Sequence, residues 1–93
     1  MILRIITPDK EEIKAPSVNF VHFRLSDGSP ISIYPGHIRL IGLIEEGSIE
    51  YSEDQESRQV LVSDGLLLVD QDVISCHVNW AHRQKTEPDV REK

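Results

Sequence analysis

Apolar residues fall along this chain in short β-branched runs separated by Pro, Gly and Asp, the arrangement that turns an extended backbone back on itself every few residues. Ile2, Leu3, Ile5 and Ile6 open the chain and are stopped at Pro8-Asp9. A second extended piece, residues 12–14, is stopped by Pro16, and the two are expected to form a hairpin. Residues 17–25 are rich in strand formers, but Val18 and Phe20 share one parity while Val21, Phe23 and Leu25 take the other. A strand alternates its faces strictly, so the phase change predicts either burial on both faces or a bulge near Phe20-Val21.

Asp27-Gly28 supplies the next turn, residues 31–34 a short strand, and Pro35-Gly36 a sharp turn in which proline presets the first position and glycine accepts the positive φ of the second. Residues 37–44 resume with Ile38, Leu40, Ile41, Leu43 and Ile44, and Glu46-Gly47 leads into residues 48–52, with Ile49 and Tyr51 expected to face the core. Residues 53–57 are acidic and polar and read as an exposed hairpin end. Residues 58–63 form a strand, Asp64-Gly65 a turn, residues 66–69 a continuous apolar strand, and Asp70-Gln71-Asp72 another turn. The cleanest alternation runs from 73 to 80, with Ile74, Cys76, Val78 and Trp80 on one face and Val73, Ser75, His77 and Asn79 on the other. From Ala81 onward the chain is polar with a proline in its middle, and it is read as a tail that cannot repay the entropy of ordering. Eight to ten short strands and no helix make an all-β chain, a two-sheet β-sandwich with its core between sheets about 10 Å apart.

Ninety-three residues are enough for one hydrophobic interior, so residues 1–82 are assigned to a single sandwich domain and 83–93 to a polar tail. The apolar runs, 65–69 among them, fall far short of the roughly 18 residues needed to cross a bilayer, and the N-terminus lacks the charged and apolar regions of a signal peptide. The pattern is that of a cytosolic-type chain without direct insertion into a bilayer. Sixteen acidic against ten basic residues give a net charge of -6, which disfavours nucleic acid as a partner.

The chemistry-bearing residues do not gather into a familiar site. Cys76, His77 and His82 are close in sequence, but Cys76 and His77 point to opposite faces of a strand, so both cannot ligate one ion; no metal and no cofactor are expected. No serine lies in a Gly-x-Ser-x-Gly elbow, and no glycine-rich loop could cradle a phosphate. The carboxylate pairs Glu45-Glu46 and Glu53-Asp54 lie in turn-like polar sequence and read as solvated. What stands out is Asp27 to His37, two turns and two prolines around apolar side chains, at a sandwich end free of core packing. Ile31, Ile33 and Tyr34 are there either an exposed contact patch or a short core strand.

The order Ile5-Ile6-Thr7-Pro8, Asp27-Gly28, Ile33-Tyr34-Pro35-Gly36-His37, Glu46-Gly47 and Ser63-Asp64-Gly65, followed by a strand ending at Trp80-Ala81, resembles the N-terminal β-sandwich domain of the F-type ATP synthase epsilon subunit. The likeness covers Met1 to about His82, and its most specific piece is the Ile-x-Pro-Gly-His stretch. It implies a sandwich of about ten strands in the central stalk, docked on the gamma subunit and on the polar loops of the c-ring, on the cytoplasmic face of the membrane. Such a subunit couples a proton- or sodium-driven ring to the shaft during ATP synthesis and performs no bond chemistry. The resemblance maps the c-ring loop onto Asp27, Gly28, Ser29, Pro30, Ile31, Ser32, Ile33 and Tyr34, with Pro35, Gly36, His37 and Arg39 completing the expected partner interface. The chain departs from the family at three places in that region. Ser32 stands where a glycine is usual, Ser29-Pro30-Ile31 replaces an acidic site with an extra residue, and Ile38-Arg39 replaces the common Ala-Pro. Residues 81–93 are too few for two stable helices, so the C-terminal helical hairpin that inhibits hydrolysis in bacterial relatives is expected to be missing.

A stalk subunit should display apolar surface on one sheet face or end loop. A free-standing, cupin-like module would instead hold a small ligand between its sheets, and an enzyme built on Cys76 would need an exposed thiolate with a histidine in reach. The isolated chain could also form a homodimer through a surface that its partner otherwise covers.

Overall fold

The computed structural model describes residues 1–9, 12–36 and 38–84, and among them there are ten strands and no helix. In chain order these are β1 (Ile2–Ile6), β2 (Glu12–Ala15), β3 (Val18–Arg24), β4 (Pro30–Ile33), β5 (Leu40–Ile44), β6 (Gly47–Glu53), β7 (Glu56–Val62), β8 (Gly65–Asp70), β9 (Val73–Val78) and β10 (Ala81–Gln84). They form two five-stranded sheets, one ordered β2-β1-β9-β8-β5 and the other β10-β7-β6-β3-β4. The expected two-sheet sandwich is therefore observed. All pairings are antiparallel except β1 with β9, which run parallel from Ile2↔Val73 to Ile6↔His77.

Period-two alternation sends one side of each strand inward. Leu3 and Ile5 of β1, Ile49 and Tyr51 of β6, Val60 and Val62 of β7, Leu67 and Val69 of β8, and Ile74, Cys76 and Val78 of β9 are all buried in one cluster. The phase change in β3 is a bulge. Its register against β6 breaks between Val18 and Phe20, one residue before the expected place, so Val18, Val21 and Phe23 all reach the core.

The chain changes sheet five times. Four of the links are two residues long (16 and 17, 45 and 46, 63 and 64, 79 and 80), and only 34–39, between β4 and β5, is longer. Two of the short links are tied together by Ser63, which is buried. Its Oγ accepts the Asn79 N–H at 2.8 Å and donates to the Asp64 carbonyl at 2.9 Å, and its own N–H donates to the Trp80 carbonyl at 3.1 Å. The β3–β4 hairpin turns at Asp27-Gly28 as expected, with Gly28 at φ 88°. The Ser29 N–H donates to Asp27 Oδ1 at 2.9 Å, and that bond holds the Asp27 carboxyl below its ordinary pKa.

Three local expectations are revised. Asp64-Gly65 is not a hairpin turn but the crossover from β7 to β8, and Gly65 opens β8. It has to be glycine because a Cβ there would lie 2.2 Å from the His77 carbonyl oxygen. Gly36 has φ 157°, far from the roughly +80° of a type II turn, and its N–H donates to Asp72 Oδ1 at 2.9 Å. The tail expected from Ala81 begins instead as β10, which pairs with β7 from Ala81↔Val62 to Gln84↔Gln59 and carries the sandwich past residue 82. An edge strand is held by backbone hydrogen bonds and needs few apolar side chains. Here Ala81 packs on the core and the Trp80 ring lies 5.4 Å from that of His82. The rest of the expected tail, residues 85–93, lies outside the described residues.

Two hairpins use tight turns with both central residues left-handed and neither a glycine: Asp54 (φ 54°) with Gln55 (φ 66°), and Gln71 (φ 52°) with Asp72 (φ 65°). A left-handed residue other than glycine costs roughly 1–2 kcal/mol, more than the roughly 0.5–1 kcal/mol of extra chain entropy that glycine brings. Gln55→Gly is therefore expected to stabilise the fold by about 0.5–1 kcal/mol, read as a higher urea midpoint at unchanged slope; a lower midpoint would refute the strain. Gly65→Ala is expected to destabilise by about 2–3 kcal/mol in the same titration, because the obstacle is backbone that cannot swing away.

Candidate protein interface

The segment singled out in the sequence divides on folding. Its turn residues Asp27 and Gly28 lie at the tip of the β3–β4 hairpin, whereas Tyr34, Pro35, Gly36 and Arg39 lie in the link at the far end of β4. Four residues of strand separate the two ends by about 13 Å. Ser29, Pro30 and Ser32 are exposed, Ser32 with its Oγ hydrogen-bonded to His22 Nδ1, and Ile31 is half-buried against the core. Ile33 is 2% exposed and belongs to the core, so it drops out of any contact patch, and a charge placed there would unfold the chain. Tyr34 is 58% exposed and stands beside Phe20 and His22 on the outer face of β3, each ring centroid 6.5 Å from its own. Arg39 is exposed and paired with Asp70 at 3.2 Å. His37 lies outside the described residues.

A second surface was not singled out in the sequence. On the outer face of the first sheet, β5 and β8 set Ile41 opposite Leu68 and Leu43 opposite Leu66. Ile41 is 75% exposed and Leu43 59%, with Leu66 more than a third exposed and Leu68 half-buried. Ile38, also exposed, extends the patch toward the 34–39 link. A hollow lies at each end. One, of about 370 Å³, is lined by Arg39, Leu40, Ile41, Leu68, Val69 and Asp70. The other, of about 520 Å³, is lined by Leu43 and Ile44 together with Ser26, Glu45, Glu46, Asp64 and Gly65. The signal was present in the sequence: β5 and β8 carry apolar residues at both parities, yet a two-layer sandwich can bury only one face of each strand.

β5 is an edge strand, and its second half is closed off. The Ser26 N–H donates to the Leu43 carbonyl and the Glu45 N–H to the Arg24 carbonyl, both at 2.9 Å, and Leu25 bridges to Ile44. The apolar face thus sits on two paired strands, of which β5 is also bonded to residues 24–26 at the end of β3. Contacts here would be side chain on side chain, with little strand addition at the edge.

Among the described residues the two nucleophile candidates, Cys76 and Ser63, are buried. Cys76 is fully buried and its thiol is pushed up to about 12 by that burial, while its neighbour His77 is exposed on the opposite side of β9. Among the described residues no three His, Cys, Asp or Glu side chains converge as metal ligands do. The hydroxyl of Ser63 is committed to the crossover bonds above.

Residues 1–84 match the family model described as the ATP synthase delta/epsilon chain β-sandwich domain. No curated protein matches the chain by sequence. Among solved structures, a chain of the Euglena gracilis mitochondrial ATP synthase, in a structure of its OSCP, F1 and c-ring, superposes with a TM-score of 0.76 at 20% identity, over 87% of this chain and 51% of that one. A chain from the central stalk and c-ring structure of the Tetrahymena thermophila mitochondrial ATP synthase superposes with a TM-score of 0.71 at 15% identity, over 100% of this chain and 74% of that one. At these identities the superpositions speak for the fold, and this chain spans about half the length of the Euglena chain.

Burial of Cys76 predicts a thiol inert toward a water-soluble disulfide reagent at pH 8 in the native state and stoichiometrically reactive in denaturant. Rapid native reaction would show that β9 opens to solvent.

Proposed function

The chain belongs to the delta/epsilon family of ATP synthase subunits, matching its β-sandwich domain over residues 1–84, and on that footing we propose that it is a non-catalytic part of the central stalk, joining the gamma subunit to the c-ring and coupling proton- or sodium-driven rotation to ATP synthesis. It would then work as a peripheral part of a membrane complex. No helix of the described residues is long and apolar enough to cross a bilayer.

The observation that carries this reading is the apolar face made by Ile41, Leu43, Leu66 and Leu68. None of these side chains belongs to the chain's own core cluster, so their exposure is a standing cost that burial against a partner would reverse, by about 1–2 kcal/mol each for Ile41 and Leu43 and less for the already partly covered Leu66 and Leu68. A part that transmits torque needs an attachment that is strong and does not shear, and an apolar face on two hydrogen-bonded strands is suited to it. We assign gamma to this face. The hairpin tip at Asp27-Gly28-Ser29 and the link bearing Tyr34 and Arg39 are assigned to further stalk contacts, with the tip, polar and projecting, suited to the polar loops of the c-ring. The Tetrahymena structure is itself of a central stalk with its c-ring, which supports placing the present chain in such an assembly. The buried side chains of the core cluster lie between the sheets, which favours this reading over a module that holds a ligand there.

Co-expression of the tagged chain with the gamma subunit of the same genome is expected to yield a one-to-one complex by mass. Leu43→Asp should weaken it by about a hundredfold or more, with the far-ultraviolet circular dichroism of the free chain unchanged, since Leu43 already faces water. Tyr34→Asp tests the link in the same assay. Failure of the wild-type chain to bind gamma at low or moderate salt would overturn the assignment.

A further inference from the structure

The apolar face has a polarity along its strands. At the β5–β6 end, Glu45, Glu46 and Asp64 surround the 520 Å³ hollow beside Leu43, and all three are exposed. Among the described residues no cation forms an ion pair with any of them. The nearest arginine on the adjoining strand, Arg24, is turned away, its Nη1 donating to the Gly28 carbonyl at 3.0 Å. The next ionisable group inward is His77, which faces Leu66 from β9. The opposite end is different, because there Arg39 and Asp70 neutralise each other at 3.2 Å beside Ile41. The face is thus apolar in the middle, balanced at one end and acidic at the other.

We propose that the occupant of this face is an amphipathic protein segment whose apolar stripe lies over Ile41, Leu43, Leu66 and Leu68 and whose Lys or Arg side chains lie over Glu45, Glu46 and Asp64. The proposal rests on the docking reading above and adds the partner's chemistry and direction. Covering Leu43 removes water from the carboxylates next to it. A neutral or acidic end would leave three desolvated negative charges unpaired, whereas a basic end pairs them. The same segment laid in reverse would put its cations against the Arg39–Asp70 pair and leave the carboxylates uncovered, so the charges also fix orientation.

The test uses the full chain and the gamma subunit of the same genome as the probe, with dissociation constants measured at 50 mM and 500 mM NaCl. The double substitution Glu45→Lys/Glu46→Lys is expected to weaken binding about tenfold at low salt, and the deficit should shrink at high salt as the charges are screened. Asp54→Lys, on the remote β6–β7 turn, makes a control reversal and should change affinity by less than about twofold. If Leu43→Asp abolishes binding while the double reversal leaves affinity and its salt dependence unchanged, the face is the docking site but its occupant has no basic end, and this inference is overturned. If Leu43→Asp is itself harmless, the docking reading falls and the inference falls with it.

Discussion

Two sheets packed face to face stand about 10 Å apart, and this chain must cross that gap five times. Two linking residues make three Cα steps and span at most about 11 Å. The four two-residue links are therefore short against the gap, and each turns the chain through a bend, which leaves little choice in where it leaves one sheet and enters the next. That is consistent with Ser63 tying two of them with two hydrogen bonds, to the Asn79 N–H and the Trp80 carbonyl, and with Gly65, at the exit of one, lying against the His77 carbonyl. Slack exists only in the link 34–39. It is there, and not at the short crossovers, that the chain displays a large exposed aromatic, Tyr34, and an exposed Ile38. Even this link is tied down, by Asp72 to the Gly36 N–H and by Asp70 to Arg39, so that it is referenced to the β8–β9 turn.

A sandwich of this size spends nearly all its inward positions on one core, and each strand has a second face with no partner inside the molecule. On most strands that face is polar or mixed: Arg4 of β1 pairs with Glu12 of β2, and Glu50 and Gln59 face each other across β6 and β7. On β5 and β8 it is aliphatic. The difference lies in sequence alone, because the backbone geometry of the two kinds of strand is the same. A surface whose polarity is not needed for folding is free to be set by what it meets, and the docking proposal rests on that freedom.

Strand positions, the opening hairpin, the bulge in β3, the inward placement of Ile49, Tyr51, Ile74, Cys76 and Val78, and the two-layer architecture could all be read from alternation and turn residues, because those are local properties of an extended chain. What could not be read depended on partners distant in sequence. Gly65 looks like a turn glycine until β9 is placed behind it. Ile33 and Tyr34 are neighbours of similar apolar character, and only the pairing Val21↔Ile33 decides that one is core and the other surface. β10 has almost no apolar signal and exists through its backbone pairing with β7. The exposed apolar face was visible as a double-parity apolar pattern in 37–44 and 66–69, but double parity also arises from a bulge, as in β3, and only the structure separates the two causes.

The same face poses a problem when no partner is present, and the charge pattern bears on it. Two copies meeting face to face about an axis parallel to the strands would set the carboxylates of one, Glu45, Glu46 and Asp64, against those of the other. The axis perpendicular to the strands avoids that clash but sets each acidic end against an Arg39 already neutralised by Asp70, so it gains little. A net charge of -6 on every copy opposes both arrangements at longer range. Backbone edge pairing through β5 is also restricted, since Leu43 and Glu45 already bond to Ser26 and Arg24. On the docking reading proposed above, an apolar surface shielded in this way would meet its own kind less readily than a segment of opposite charge, which is the discrimination that reading requires.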